Sequence, residues 1–168
     1  MDNDFSSIDV QEALATAIKS EIEAEDVYKK LKDMVSNFVI KDKLDFLISE
    51  EKKHQQLVRK LYEKMFSETD PVLPEKSLTP RLTLALKETE TVPDLLEVAI
   101  DAEKKSEEFY DALSQEVADR GAQEILQYLA SMEHGHYSLL KGEYELCIRD
   151  EQYYERGDFQ YDMVHIGP

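Results

Sequence analysis

Residues 14–63 read LATAIKSEIEAEDVYKKLKDMVSNFVIKDKLDFLISEEKKHQQLVRKLYE, and residues 96–145 read LEVAIDAEKKSEEFYDALSQEVADRGAQEILQYLASMEHGHYSLLKGEYE. Laid over one another at an offset of 82 residues, without a gap, they agree at sixteen of fifty positions. Chance at this composition gives roughly three or four. The shared positions of the first copy are Leu14, Ala17, Ile18, Glu21, Glu25, Tyr28, Leu31 and Val35, then Leu44, Leu47, Ser49, Glu51, His54, Leu57, Tyr62 and Glu63. Most are three, four or seven residues apart, which is one face of a helix and not the alternation of a strand. What is duplicated is therefore the inward stripe of a helical hairpin.

Each copy predicts two helices. In the first copy Asp9 and Glu12 fit a capping box, and the helix runs to about Val35. Ser36 and Asn37 mark a break, and a second helix covers roughly Ile40 to Phe66. In the second copy Thr91 is the cap, with Pro93 in the first turn where its missing N–H costs little. That helix ends near Asp119, Arg120 and Gly121, where glycine tolerates a positive φ, and the fourth runs from about Ala122 to Arg149. Between the copies, Pro71, Pro74 and Pro80 exclude one continuous helix, although Arg81 to Glu88 can form a short one. So long a connection suits a crossover along the whole bundle. The expectation is an all-α four-helix bundle made of two repeated hairpins, about 10–66 and 92–149, within one domain of residues 1–150. The tail 151–168 is polar and aromatic, with Tyr153, Tyr154, Phe159 and Tyr161, and either lies across the bundle or contacts another subunit.

A chain of 168 residues suits one domain with a sizeable core. Its 37 acidic against 20 basic residues give a formal charge of -17. Such a surface repels phosphate backbones and anionic lipid, so neither nucleic acid nor membrane is an expected partner, while cations are drawn in. Cys147 is the only cysteine, so no intramolecular disulfide and no Cys-x-x-Cys motif can form. It reads as a small buried apolar residue, and the cysteine usage fits a cytoplasmic protein. Met1 to Val10 carries three acids, no basic residue and no apolar run, which is not the pattern of a signal peptide. No apolar run is long enough to span a bilayer.

The repeat carries chemistry. A lone acid, Glu21 or Glu103, stands on the first helix of each copy, and Glu51-x-x-His54 or Glu133-x-x-His136 on the second. Three residues turn an α-helix through about 300°, so each Glu and His point to nearly the same side. Glu21 and Glu51 are 30 residues apart, as are Glu103 and Glu133, with Ser36 and Ala118 at the midpoints. Equal runs up and down a hairpin bring each lone acid level with its partner motif, and a pseudo-twofold brings the two sets together. Four ionised glutamates carry the charge that two divalent cations neutralise; without metal they would have to take up protons. Mixed oxygen and nitrogen donors suit iron, manganese or zinc better than calcium.

The repeat also sorts the candidates. Glu50 is matched by Met132 while Glu51 is matched by Glu133, so Glu51 is the ligand candidate. His134 is matched by Lys52 and is set aside, as is His165, which has no counterpart. Glu25 and Glu107 repeat but lie four residues beyond the lone acids and are weaker candidates. Tyr28 and Tyr110 follow the lone acids by seven residues, placed either to donate a hydrogen bond to a ligand carboxylate or to fill the core. A single Glu-x-x-His is usually a solvated pair; two in matched register inside a repeat are not.

The segments Ala17-Ile-Lys-Ser-Glu21-x-x-Ala24-x-x-Val27-Tyr28, Glu51-x-x-His54, Ala99-Ile-x-x-Glu103-x5-Phe109-Tyr110 and Glu133-x-x-His136 resemble the rubrerythrin branch of the ferritin-like superfamily, over about residues 10–149. The resemblance implies a ferritin-like bundle and two iron ions, with manganese or zinc as alternatives. It makes Glu51 and Glu133 the bridging ligands, Glu21 and Glu103 the terminal ones, and gives His54 and His136 one metal each. Tyr28 and Tyr110 match the family's ligand-supporting tyrosines. The implied activity is that of a di-iron oxidoreductase, reducing hydrogen peroxide or oxidising ferrous iron with an oxygen species, in a homodimer. Two departures stand out. Rubrerythrins proper carry a rubredoxin domain with four cysteines, so this chain is expected to use an external electron donor such as a rubredoxin-like protein. They also carry an additional carboxylate three residues after the second lone acid, where this chain has Ser106. Both departures favour a competing expectation, a non-catalytic metal-binding or iron-storage and iron-handling protein. A purely structural bundle is the third.

Overall fold

A computed structural model describes residues 9–66, 70–75, 77–78 and 91–150. These hold α1 (Val10–Met34), α2 (Phe38–Met65), α3 (Val92–Glu116) and α4 (Arg120–Arg149), and no strand among the described residues. The all-α hairpin pair read from the repeat is the architecture observed. Equivalent breaks at 35–37 and 117–119 separate the helices of each hairpin, so the 82-residue repeat extends through its turns.

The caps explain where the helices start. Asn37 Oδ1 accepts from the backbone N–H of Val39 at 2.9 Å and of Ile40 at 3.4 Å, so α2 begins two residues before the expected Ile40. Because this one side chain serves two otherwise orphaned donors, Asn37→Ala is expected to lower stability by about 1 kcal/mol, measured by urea unfolding. Thr91 Oγ1 accepts from the Asp94 N–H at 3.3 Å, with proline in the first turn, as expected. Two sequence expectations give way. Asp9 occupies the N-cap position of α1, but its side chain makes no capping bond, and the box with Glu12 does not form. At the other turn α3 stops at Glu116, earlier than Gly121. Asp119 Oδ1 accepts from the Ala122 N–H at 2.8 Å and starts α4. Gly121 therefore lies inside the first turn of α4 and ends no helix. A Cβ there would come within 3.3 Å of that capping oxygen, which accounts for the small residue.

Contacts fix the topology. Lys64 Nζ at the end of α2 lies 3.1 Å from Asp119 Oδ1, beside the α3–α4 turn. Leu95 and Leu96 at the start of α3 pack instead with Val35 and Ile40, at the α1–α2 turn. The α2–α3 connection thus runs from one end of the bundle to the other, the crossover of a ferritin-like fold. The backbone N–H of Leu78, in this connection, donates to Ser20 Oγ at 3.0 Å, which holds Leu78 against α1 next to Glu21. Arg81 to Glu88, His165 and the aromatic tail lie outside the described residues.

The core divides into two apolar clusters. One gathers around Leu31, Leu44, Leu47 and Leu96, and the other around Leu14, Val58, Leu113 and Leu126. The repeat offset exchanges them: Leu31, Leu44 and Leu47 answer to Leu113, Leu126 and Leu129. Between them lies a layer of buried polar side chains.

Candidate metal centre

That layer is supplied by all four helices: Glu21 from α1, Glu51 and His54 from α2, Glu103 from α3, and Glu133 and His136 from α4. None of the six is more than 2 % exposed. The sequence expectation brought six side chains to one level, and the structure places them in one layer. Glu51, His54, Glu133 and His136 offer ligand atoms that all lie within 4.8 Å of one another. His54 Nδ1 stands 2.8 Å from Glu133 Oε1 and 3.5 Å from both Glu21 Oε2 and Glu51 Oε2. His136 Nδ1 stands 3.0 Å from Glu51 Oε1, 3.6 Å from Glu103 Oε2 and 3.8 Å from Glu133 Oε2. Glu51 and Glu133 therefore each face both imidazoles, whereas Glu21 and Glu103 each face one. The imidazole rings stack with centroids 5.2 Å apart.

Close approach is not hydrogen bonding here. Both oxygens of Glu51, both nitrogens of each histidine, and one oxygen each of Glu103 and Glu133 are buried without an aligned hydrogen-bond partner. A buried polar atom with no partner is costly, and so many facing one point form a donor set suited to a cation. Carboxylate oxygens and imidazole nitrogens form a suitable donor set for iron, manganese or zinc.

The tyrosines settle the question the spacing left open. Tyr28 donates to Glu103 Oε1, and Tyr110 donates to Glu21 Oε1. The bonds cross between hairpins, because α1 and α3 run antiparallel and each tyrosine reaches the lone acid of the other copy. Both tyrosines are also fully packed in the core.

Burial and neighbours distribute the protons. Burial pushes the Glu21 carboxyl up to about 8, assisted by the charge of Glu51 and opposed by His54. Burial, then the charges of Glu21 and Glu103, holds Glu133 well above the usual carboxylate range. Burial also disfavours charge on Glu51, but His136, His54 and Glu21 outweigh it and hold Glu51 far below that range. Burial alone would lower both imidazoles. Glu133, Glu21 and Glu51 instead push His54 far up, while Glu103 and Glu51 raise His136 to about 10. Burial, followed by the Glu21 and Glu133 charges, keeps the Tyr110 hydroxyl protonated as a donor.

Glu21, Glu133, His54 and His136 thus hold protons more tightly folded than unfolded. The resulting stability is complete below their unfolded pKa values and is lost as pH rises through the folded ones. For Glu21 that window runs from 4.5 to about 8, and for His136 from 6.5 to about 10. The metal-free protein is therefore expected to melt at lower temperature as pH rises from about 5 to about 9. Metal-loaded protein should show the opposite slope, because cations bind the deprotonated ligands. Scanning calorimetry on both forms checks the pair of signs.

The remaining candidates fall outside. Glu25 is engaged by Lys29 at 2.7 Å, Lys52 at 3.7 Å and Gln55 Nε2 at 2.8 Å. Glu107 pairs with Lys104 at 3.1 Å and with the exposed His134 at 3.2 Å. Glu50, beside Glu51, is paired with Lys53. Cys147 is a free, buried thiol in the apolar cluster nearer the α1–α2 turn, as read from the sequence.

A protein-family model described as Rubrerythrin matches residues 12–144. The chain belongs to the rubrerythrin family. The chain is also similar to the solved structure of a hypothetical protein from Pyrococcus furiosus. The two are 37 % identical, the match covers 87 % of this chain and 94 % of that one, and the TM-score is 0.79. No curated protein matches. Among the described residues no helix is long and apolar enough to cross a membrane.

One residue at the site escaped the sequence reading. The half-exposed ring of Phe46 meets the His136 imidazole edge to face, with centroids 6.4 Å apart and planes at 87°. Matching by identity passed over it, because its counterpart is Tyr128. The available signal was an aromatic at both equivalent positions.

Proposed function

We propose that this protein is a di-iron oxidoreductase that reduces hydrogen peroxide or oxidises ferrous iron with an oxygen species. The observation that carries this reading is the buried layer of four glutamates and two histidines, whose unpartnered atoms face one another. Two ferrous ions held there supply one electron each, matching the two-electron reduction of an O–O bond. The chain's own residues do the rest. Glu51 and Glu133, which each face both imidazoles, would be shared by the two ions, Glu21 with His54 would complete one, and Glu103 with His136 the other. Tyr28 and Tyr110 fix the orientation of the lone acids. The apolar clusters above and below keep bulk water from the layer. Manganese or zinc in place of iron would fit the same donors.

The expected result is that iron-loaded, reduced protein mixed anaerobically with peroxide turns ferric, about one peroxide consumed per two irons. Iron that stays ferrous ends the proposal. Repeated turnover requires a separate electron donor, such as a rubredoxin-like protein, and the working assembly is a homodimer, which light scattering tests.

Ser106 supports a second reading. It is buried on α3 one turn from Glu103 and offers a hydroxyl where the family resemblance places an additional carboxylate. Without that carboxylate a role in metal binding or iron handling, with no turnover, gains weight. Iron loading beyond two per chain, or a cage-like assembly, would favour it.

A further inference from the structure

The buried layer has to be reached from outside, and the four seams of the bundle are not equally closed. Each hairpin packs intimately along its own length. Across the hairpins, α1 and α3 approach one another more closely than α2 and α4 do. The crossed tyrosine bonds tie this seam, and Leu78 is hydrogen-bonded to Ser20 of α1, next to Glu21. The α2 and α4 backbones stand farther apart, with the stacked imidazoles of His54 and His136 between them.

Phe46 is at that seam. Its ring is 49 % exposed, yet one edge rests on His136, which is 2 % exposed. The phenyl ring is thus part of what separates the imidazole from water. The equivalent residue on α4, Tyr128, is 52 % exposed.

We propose that the α2–α4 seam is the path by which metal ions and small oxidants reach the layer, and that Phe46 sets the rate of passage. The inference rests on the metal-centre reading but not on any redox activity. A rotamer change of one surface ring opens the path, whereas the α1–α3 side would require the crossed tyrosine bonds to break. A gate changes the rates of arrival and departure by the same factor and leaves affinity alone. A residue that only positions His136 changes affinity.

Cobalt(II) is the probe: its absorption reports loading of the metal-free protein, and transfer to excess EDTA reports release. Phe46→Ala is expected to speed loading and release alike, roughly tenfold, the size an aromatic contact of this kind supports, with Kd unchanged. Phe46→Trp should slow both. Ile148→Ala, an exposed apolar residue at the far end of α4, should change neither. In metal-free protein, mass-mapped acylation of His136 by diethyl pyrocarbonate should quicken in Phe46→Ala. Unchanged rates, or a weakened affinity carried by release alone, overturn the gate. Failure of the unaltered protein to take up cobalt overturns the metal-centre reading and the gate with it.

Discussion

Glu51→Gln is expected to strip metal from both positions at once, while His54→Ala or His136→Ala should each leave about one ion per chain. Glu51 is fully buried, and its two oxygens face different imidazoles, Oε2 toward His54 at 3.5 Å and Oε1 toward His136 at 3.0 Å. Removing its charge takes a donor from both half-sites, whereas either histidine serves one. The amide keeps the volume and breaks only the charge, so helical content should persist. The loss of affinity should exceed the roughly 10–100-fold that an outer hydrogen-bond partner is worth. Metal analysis after dialysis gives the stoichiometry and competition with a chelator the affinity. Glu50→Gln is the control: it alters the neighbouring residue, also a glutamate but paired with Lys53 outside the layer. If Glu50→Gln and Glu51→Gln lose metal equally, or if Glu51→Gln retains two ions, the shared-ligand assignment is wrong.

That contrast between adjacent glutamates shows what made the site legible. Nothing about Glu50 or Glu51 alone separates them; the second copy does, because Met132 answers one and Glu133 the other. Likewise the 30-residue spacing from lone acid to paired acid, centred on each turn, sets the height of the layer before any packing is known. These are local facts, and an α-helix of constant rise carries them into three dimensions. What depended on competition between local signals was read less well. Gly121 resembled a helix end, but Asp119 two residues earlier supplies a stronger start, and the start prevailed. Asp9 and Glu12 had the spacing of a capping box, yet spacing does not compel the Asp9 side chain to turn inward. Phe46 was invisible for a different reason. Its significance lies in a contact between α2 and α4, two helices that are not neighbours in the chain.

The partners of Tyr28 and Tyr110 likewise lie in the other hairpin, and this gives the second large effect. Tyr28→Phe is expected to weaken the ion held by Glu103 and His136, and Tyr110→Phe the ion held by Glu21 and His54, each by roughly 10–100-fold. Each substitution removes a hydroxyl and keeps the ring, so the core stays filled. The acid that loses its donor is the one across the bundle, since Tyr28 bonds Glu103 and Tyr110 bonds Glu21. A hairpin that supported its own metal would show the reverse. Double-mutant cycles separate the two arrangements. Tyr28→Phe combined with Glu103→Gln should cost much less than the sum of the single changes, because the second removes the charge the hydroxyl orients. Tyr28→Phe combined with Glu21→Gln should be close to additive. In the metal-free protein the lost hydroxyl leaves a buried carboxylate oxygen unsatisfied, so a stability cost of about 1–3 kcal/mol should accompany each single change. Coupling of Tyr28 to Glu21 in place of Glu103 would mean that α1 and α3 do not meet in the antiparallel register that brings the two halves of the site together.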